Sequence, residues 1–303
     1  MTTVPPGQVL LSAYSWISMC LYLYLIRKLL KWRRNMEQFK SSYYSLFLMQ
    51  FIADFYLFIF VEVIMRPRKF NYFGLYSENM QGFAVFSTAN LLITKGVICC
   101  GHVVIALNRF TAFYLPFKQE KIWTKSVVLA SILSLWGMFV VASLSVIIIY
   151  RDSPKLIRLE NGILQMYFGP ITTYDSYQCR ITYVFTVVVC SICYLSSYHK
   201  ARKSEQRNAK LEQRLFICAA ASSFPFCIEV LRSTLESLSF ENKGDLYIWM
   251  AEFWYYEMEI TATVSVWLQL LINKNVRILI LRDILGSEGC PGTSTVTNRV
   301  STY

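Results

Sequence analysis

Four ionisable side chains stand where such groups are seldom tolerated. Asp54, Lys95, Glu257 and Glu259 each lie inside a long apolar run. A charge near the centre of an isolated apolar helix costs about 2.5–3.5 kcal/mol, so it is kept for pairing or for function. Lys95 precedes Arg109 by fourteen residues, which places it about 21 Å away along a helix at nearly the same azimuth. Asp54 and Glu259, counted from the inner ends of their own runs, each come to about 20 Å. One cation and two carboxylates at one depth are expected to pair, either as a brace between helices or as the floor of a ligand pocket. Covalent or metal chemistry has little material here. His102 and His199 are the only histidines, and no doubled Cys-x-x-Cys pattern occurs. Cys20, Cys99, Cys100, Cys190, Cys193, Cys218 and Cys227 sit in apolar runs as small hydrophobes, leaving Cys179 and Cys290 in loops or tails.

The elements that position these residues follow from composition. Of 303 residues, 55% are hydrophobic and only 16% charged, a deficit that excludes an ordinary soluble enzyme and any disordered or fibrous class. The net charge of +11 would suggest nucleic acid in a soluble chain, but the basic residues cluster between apolar runs, as in a multispanning membrane protein. Seven runs approach the roughly 20 residues that cross a bilayer: Val9–Ile26, Tyr43–Met65, Ala84–Asn108, Ser126–Tyr150, Ile181–Tyr198, Leu215–Leu238 and Leu246–Ile272. Residues 1–8 lack a positive charge and Arg27, Lys28, Lys31, Arg33 and Arg34 follow the first run, so it reads as a retained helix with its N-terminus outside. That orientation puts twenty basic residues in inner segments against eight in outer ones. Residues 273–285 alternate apolar and basic side chains, as a short amphipathic helix on the inner leaflet would. The Gly/Ser/Thr-rich residues 286–303 read as a disordered cytoplasmic tail. Pro225, inside the sixth run, predicts a kink that could act as a pivot. Glu229, Arg232 and Glu236 share a helix face and are expected to neutralise one another at the outer rim.

At the inner end of the third run stands Leu107-Asn108-Arg109-Phe110-Thr111-Ala112, followed by Pro116-Phe117-Lys118. The Arg-aromatic pair, the Ala beyond it and the Pro seven residues after the Arg resemble the signature of rhodopsin-like receptors. The Leu107–Trp123 block is similar to the nematode serpentine chemoreceptors of the class gamma and class V group. The resemblance implies an all-α membrane protein, a seven-transmembrane helix bundle of rhodopsin-like type. It also implies a small-molecule ligand bound from outside, a heterotrimeric G protein inside, no cofactor, and residence in the plasma or ciliary membrane of sensory cells. Arg109, Asn108 and Pro116 would lie at the G-protein face. Asn108 stands where that signature usually has an acid, so the resemblance implies either that the Arg is latched otherwise or that basal activity is higher. Ala84 stands where such receptors usually carry a bridging Cys, which leaves Cys179 without that partner, and the seventh run ends in Leu270-Leu271-Ile272-Asn273-Lys274 rather than the usual Asn-Pro-x-x-Tyr.

The sensory receptor is therefore the leading expectation. A transporter or ion channel using the intramembrane charges is the alternative, weighed down by the presence of only one Pro-broken span. An enzyme is not expected.

Overall fold

The computed structural model describes residues 4–158, 163–167, 169–202, 217, 220–239 and 245–285. Among the described residues, seven long helices follow one another: α1 (Pro6–Asn35), α2 (Ser42–Ile59), α3 (Gln81–Tyr114), α4 (Lys125–Ile149), α5 (Ile171–Arg202), α6 (Phe224–Ser239) and α7 (Asp245–Ile272). A shorter α8 (Lys274–Ile284) completes the order. A hairpin of β1 (Lys155–Arg158) and β2 (Leu164–Tyr167) interrupts the otherwise helical chain between α4 and α5, with Leu156 paired to Met166. Its buried Leu156, Leu164 and Met166 lie on the predicted outer end of the bundle, where Thr88 Oγ1 donates to Met166 Sδ.

Among the described residues, five helical stretches are long and apolar enough to cross a membrane: Pro6–Asn35, Ser42–Lys69, Gln81–Tyr114, Lys125–Ile149 and Tyr174–Lys200. Glu252–Ile272 and Val276–Asp283 add a sixth if taken together, but they meet at 86°. Helix α7 falls short in apolarity through Glu252, Glu257 and Glu259, although its 28 residues would extend about 42 Å. The described α6 has 16 residues, and 215–216 and 218–219 of its predicted run lie outside the described residues. The 203–214 basic segment and the predicted tail also lie outside them.

The membrane reading has a direct physical signature in α4. Only 17% of its most apolar stretch is buried, against 72% for α3. Leu129, Leu133, Val141, Leu144, Ile148 and Ile149 project outward, an apolar face that water would not tolerate and lipid requires. Helix α3 is the centre, packing on α5, α4 and α2, while α7 closes the ring against α1, α6 and α2. Two devices fix the ends of these helices. Thr124 Oγ1 accepts from the Val127 N–H at the start of α4. Asn273 caps α8 through the Val276 N–H and donates to Tyr44 and Gln269, so the α7–α8 elbow is bolted to α2.

Close approach of α3 to α4 depends on Gly96. A Cβ there would stand 2.2 Å from two Phe139 ring carbons, nearer than any relaxed contact. Gly96→Ala is therefore expected to cost about 1–3 kcal/mol by overpacking. Thermal unfolding of the detergent-solubilised chain checks this, and Phe139→Leu in the same chain should recover part of the loss.

Two predicted boundaries are corrected. The second run was expected to end at Met65, with Arg66, Arg68 and Lys69 in an outer loop. Instead the helix passes through a π turn at Phe60–Met65 and on to Lys69. The Arg66 N–H bonds the Val61 carbonyl, and this shift of the ladder immediately precedes Pro67, whose ring a regular α-helical carbonyl would obstruct. Likewise α5 begins at Ile171 rather than Ile181, so Cys179, expected in a loop, is a buried helical residue.

Candidate functional site

At the predicted inner end, Asn108 and Arg109 are both buried on α3. Asn108 Nδ2 donates to Ser42 Oγ at 2.7 Å, and its Oδ1 accepts from Arg109 Nη2 at 3.2 Å. The guanidinium lies over the Tyr43 ring, 4.1 Å from its centroid. A neutral amide and an aromatic face thus hold the Arg where a carboxylate would hold it more strongly. Tyr43 is fixed in turn by Gln269 of α7, whose Nε2 donates to its hydroxyl at 2.7 Å. Just outward, a small cavity is lined by Tyr43, Gln50, His102, Ser222, Ser265 and Gln269, so the Arg sits beneath a polar seam shared by α2, α3, α6 and α7. Past α3, Pro116 is exposed and Phe117 exposes 95% of its surface. Trp123 Nε1 donates to Thr111 Oγ1 at 2.7 Å, folding this loop back on α3.

The four intramembrane charges do not meet as expected. Asp54 accepts from Tyr22 of α1 at 3.0 Å and from Gln50 at 3.2 Å, with no cation among these partners. Lys95 pairs with Asp175 of α5, both carboxylate oxygens at 3.1 Å, and donates to Cys179 Sγ at 3.3 Å. Glu259 takes Arg66 of α2 and the Ser15 hydroxyl of α1. Glu257 lies 3.4 Å from Arg232 of α6. Depth along a helix fixes one coordinate, whereas the partner depends on which face each neighbour presents. Because α3 packs chiefly on α5, Lys95 turns to Asp175 rather than to Asp54 or Glu259.

The residues that pair these charges were largely missed. Arg66 is 2% exposed and joins three helices: Nε to Glu62 Oε1 at 2.8 Å, Nη1 to the Gln8 side chain at 2.7 Å, and Nη2 to Glu259. Lys69 reaches Glu252 at 2.5 Å and lies 4.4 Å from the Tyr255 ring centroid. The Glu62-x-x-x-Arg66 spacing was the signal available, since residues four apart share a helix face. Glu229 and Arg232, expected at the outer rim, are buried inside instead, with Arg232 bonding both Glu229 oxygens at 2.5 and 2.6 Å. A turn at Ser223 separates the helical residues 220–222 from the start of α6; the Ser223 and Phe226 amides bond three residues back there, and Pro225 follows two residues after the turn. The aromatic stretch of α7 divides: Trp249 is exposed and stacks on Phe253, whereas Trp254 and Tyr255 are buried.

The described chain is thus a helical bundle with ion-paired helices, a lipid-suited apolar face and a buried Arg at one end of its third helix. The sequence model described as "Serpentine type 7TM GPCR chemoreceptor Srv" matches residues 11–285, and the chain belongs to that family. It is also similar to serpentine receptor class gamma-2 of Caenorhabditis elegans, 22% identical over 230 residues, covering 68% of this chain and 67% of the relative. The family resemblance of the Leu107–Trp123 block thus extends across most of the chain, and the protein is a multi-pass membrane chemoreceptor by family.

Proposed function

We propose that this receptor binds a small extracellular molecule in the outer half of the bundle, among α3, α6 and α7, and signals by conformational change to a cytoplasmic heterotrimeric G protein. The N-terminus lies outside and the C-terminus inside, with α8 on the inner leaflet and the bilayer around α4. The observation that carries this reading is Arg109: buried at the end of α3, with its guanidinium over the Tyr43 ring and donating to the Asn108 amide. A latch of that kind is released by a ligand that favours one arrangement of the helices by a few kcal/mol. Asn108, Arg109 and Pro116 form the inner face; Asp54, Lys95, Glu257 and Glu259 govern the outer half; the break beside Pro225 is the pivot. The orientation rests on the twenty basic residues assigned to inner segments against the eight assigned outward. Conformational coupling requires no catalytic group or cofactor.

The test is a panel of small odorants on cells expressing the chain, recording second messenger and membrane current together. A second-messenger response abolished by uncoupling the G protein is expected. Current that persists without a G protein would establish the channel or transporter reading instead. Epitope tags on both termini check the topology, and finding both on one face would exclude it.

Asn108→Asp should lower basal signalling, because a charged acceptor binds the guanidinium about twice as strongly as an amide does. An unchanged baseline at equal surface expression would show that this contact is not the latch.

A further inference from the structure

Outward of the cavity, α3, α5, α6 and α7 enclose a group of charges that does not balance. Lys95 is committed to Asp175 and Cys179. Arg232 is committed to both oxygens of Glu229 and stands 3.4 Å from Glu257. Among the described residues, two cations therefore face three carboxylates. Glu257 is 3% exposed, and neither of its oxygens receives a hydrogen bond. The Glu229 and Glu257 carboxyl groups converge on the same Arg232 Nε, at 2.5 and 3.4 Å. Cys99 of α3 and Tyr183 of α5 also face the pair, and both are neutral donors rather than cations.

Two ionised carboxylates against one buried guanidinium are strongly disfavoured in the low dielectric of a bundle core. The missing positive charge must be small. The Glu257 oxygens are closed even to a water-sized sphere, so no molecular cation can seat against them in this packing. A proton needs no such space, and it also supplies the absent donor.

We propose that Glu229 and Glu257 hold one proton between them, forming an intramembrane proton-binding site that ties α6 to α7. The proton completes an O–H···O bond across the seam and brings the five-member group to neutrality. When α6 and α7 separate enough to admit water, the Glu257 O–H bond breaks, the proton passes to water, and both carboxylates remain as anions around Arg232. The separated arrangement then binds one proton fewer, so high pH favours it and low pH favours the closed seam. The site requires neither a ligand nor a G protein, so it is tested apart from the receptor reading.

Infrared spectroscopy of the full chain in lipid nanodiscs at neutral pH tests it. The expected result is a protonated-carboxyl C=O band, shifted in D2O, with the same component missing from both Glu257→Gln and Glu229→Gln. Either substitution leaves one carboxylate alone with Arg232, where it ionises. Absence of the band from the parent, or its survival in either variant, overturns the proposal. Glu257→Gln exchanges one neutral group for another, so it should fold and melt like the parent. If both Gln variants fail to fold while the parent folds, the pair does not share a proton and the proposal also falls.

Discussion

Arg66→Met is expected to destabilise the receptor by about 3–5 kcal/mol, the cost of leaving buried carboxylates without their cation. Arg66 is the joint of α1, α2 and α7. Its guanidinium serves Glu62 and Glu259 together and also bonds the backbone and side chain of Gln8. Methionine fills similar volume but donates nothing, so two carboxylates would face each other across a dry interface, with Ser12 and Ser15 hydroxyls as their remaining donors. Buried free cysteines make the measurement straightforward. Cys99, Cys179, Cys190 and Cys193 become reactive only as the bundle opens, so a thiol-reactive dye reports unfolding during a thermal ramp. The apparent midpoint should fall by roughly 10 °C. Adding Glu62→Gln and Glu259→Gln to the same chain should recover most of the loss, because a neutral set no longer needs the cation. A midpoint that stays at the parent value in Arg66→Met would mean that α1, α2 and α7 are not joined there.

Arg109→Ala should reduce ligand-evoked second-messenger output by about 10–100-fold while most of the receptor still reaches the cell surface. The side chain is buried, and its described contacts include the Asn108 amide and the Tyr43 ring. Arg66 differs in bonding two buried carboxylates directly. Arg109→Lys separates charge from shape. The ammonium keeps the positive charge but loses the planar contact with the Tyr43 ring and the fixed fork reaching Asn108, so an intermediate output is expected. Tyr43→Ala should act oppositely and raise basal output, since it removes the ring that holds the guanidinium in place. A dose-response series at matched surface expression checks all three. Equal output from the parent and Arg109→Ala would remove Arg109 from the coupling face.

The seven runs could be read from the chain because crossing a bilayer is close to a one-dimensional property, set by about 20 apolar residues in succession. Their order, the short helix after them and the Leu107–Trp123 block are all local patterns, and the bundle follows the first two closely. The ends of the runs were harder to read. Charge terminates an apolar run on paper, yet Arg66–Lys69 and the first turns of α5 remain helical because neighbouring helices answer their charges.

Partner choice was decided in three dimensions. Asp54, Lys95 and Glu259 lie at comparable depth by residue arithmetic, but they belong to three separate groups, with Tyr22, Asp175 and Arg66 as the respective partners. A sequence specifies how far along its helix each charge stands. Which way the charge faces depends on the rotation of that helix, and rotation is set by packing: Gly96 admitting Phe139, Gly101 admitting Gln50, and the π turn before Pro67 advancing the ladder. A residue therefore meets its counter-ion only after every neighbouring helix has taken its place, since azimuth is a property of the assembled bundle.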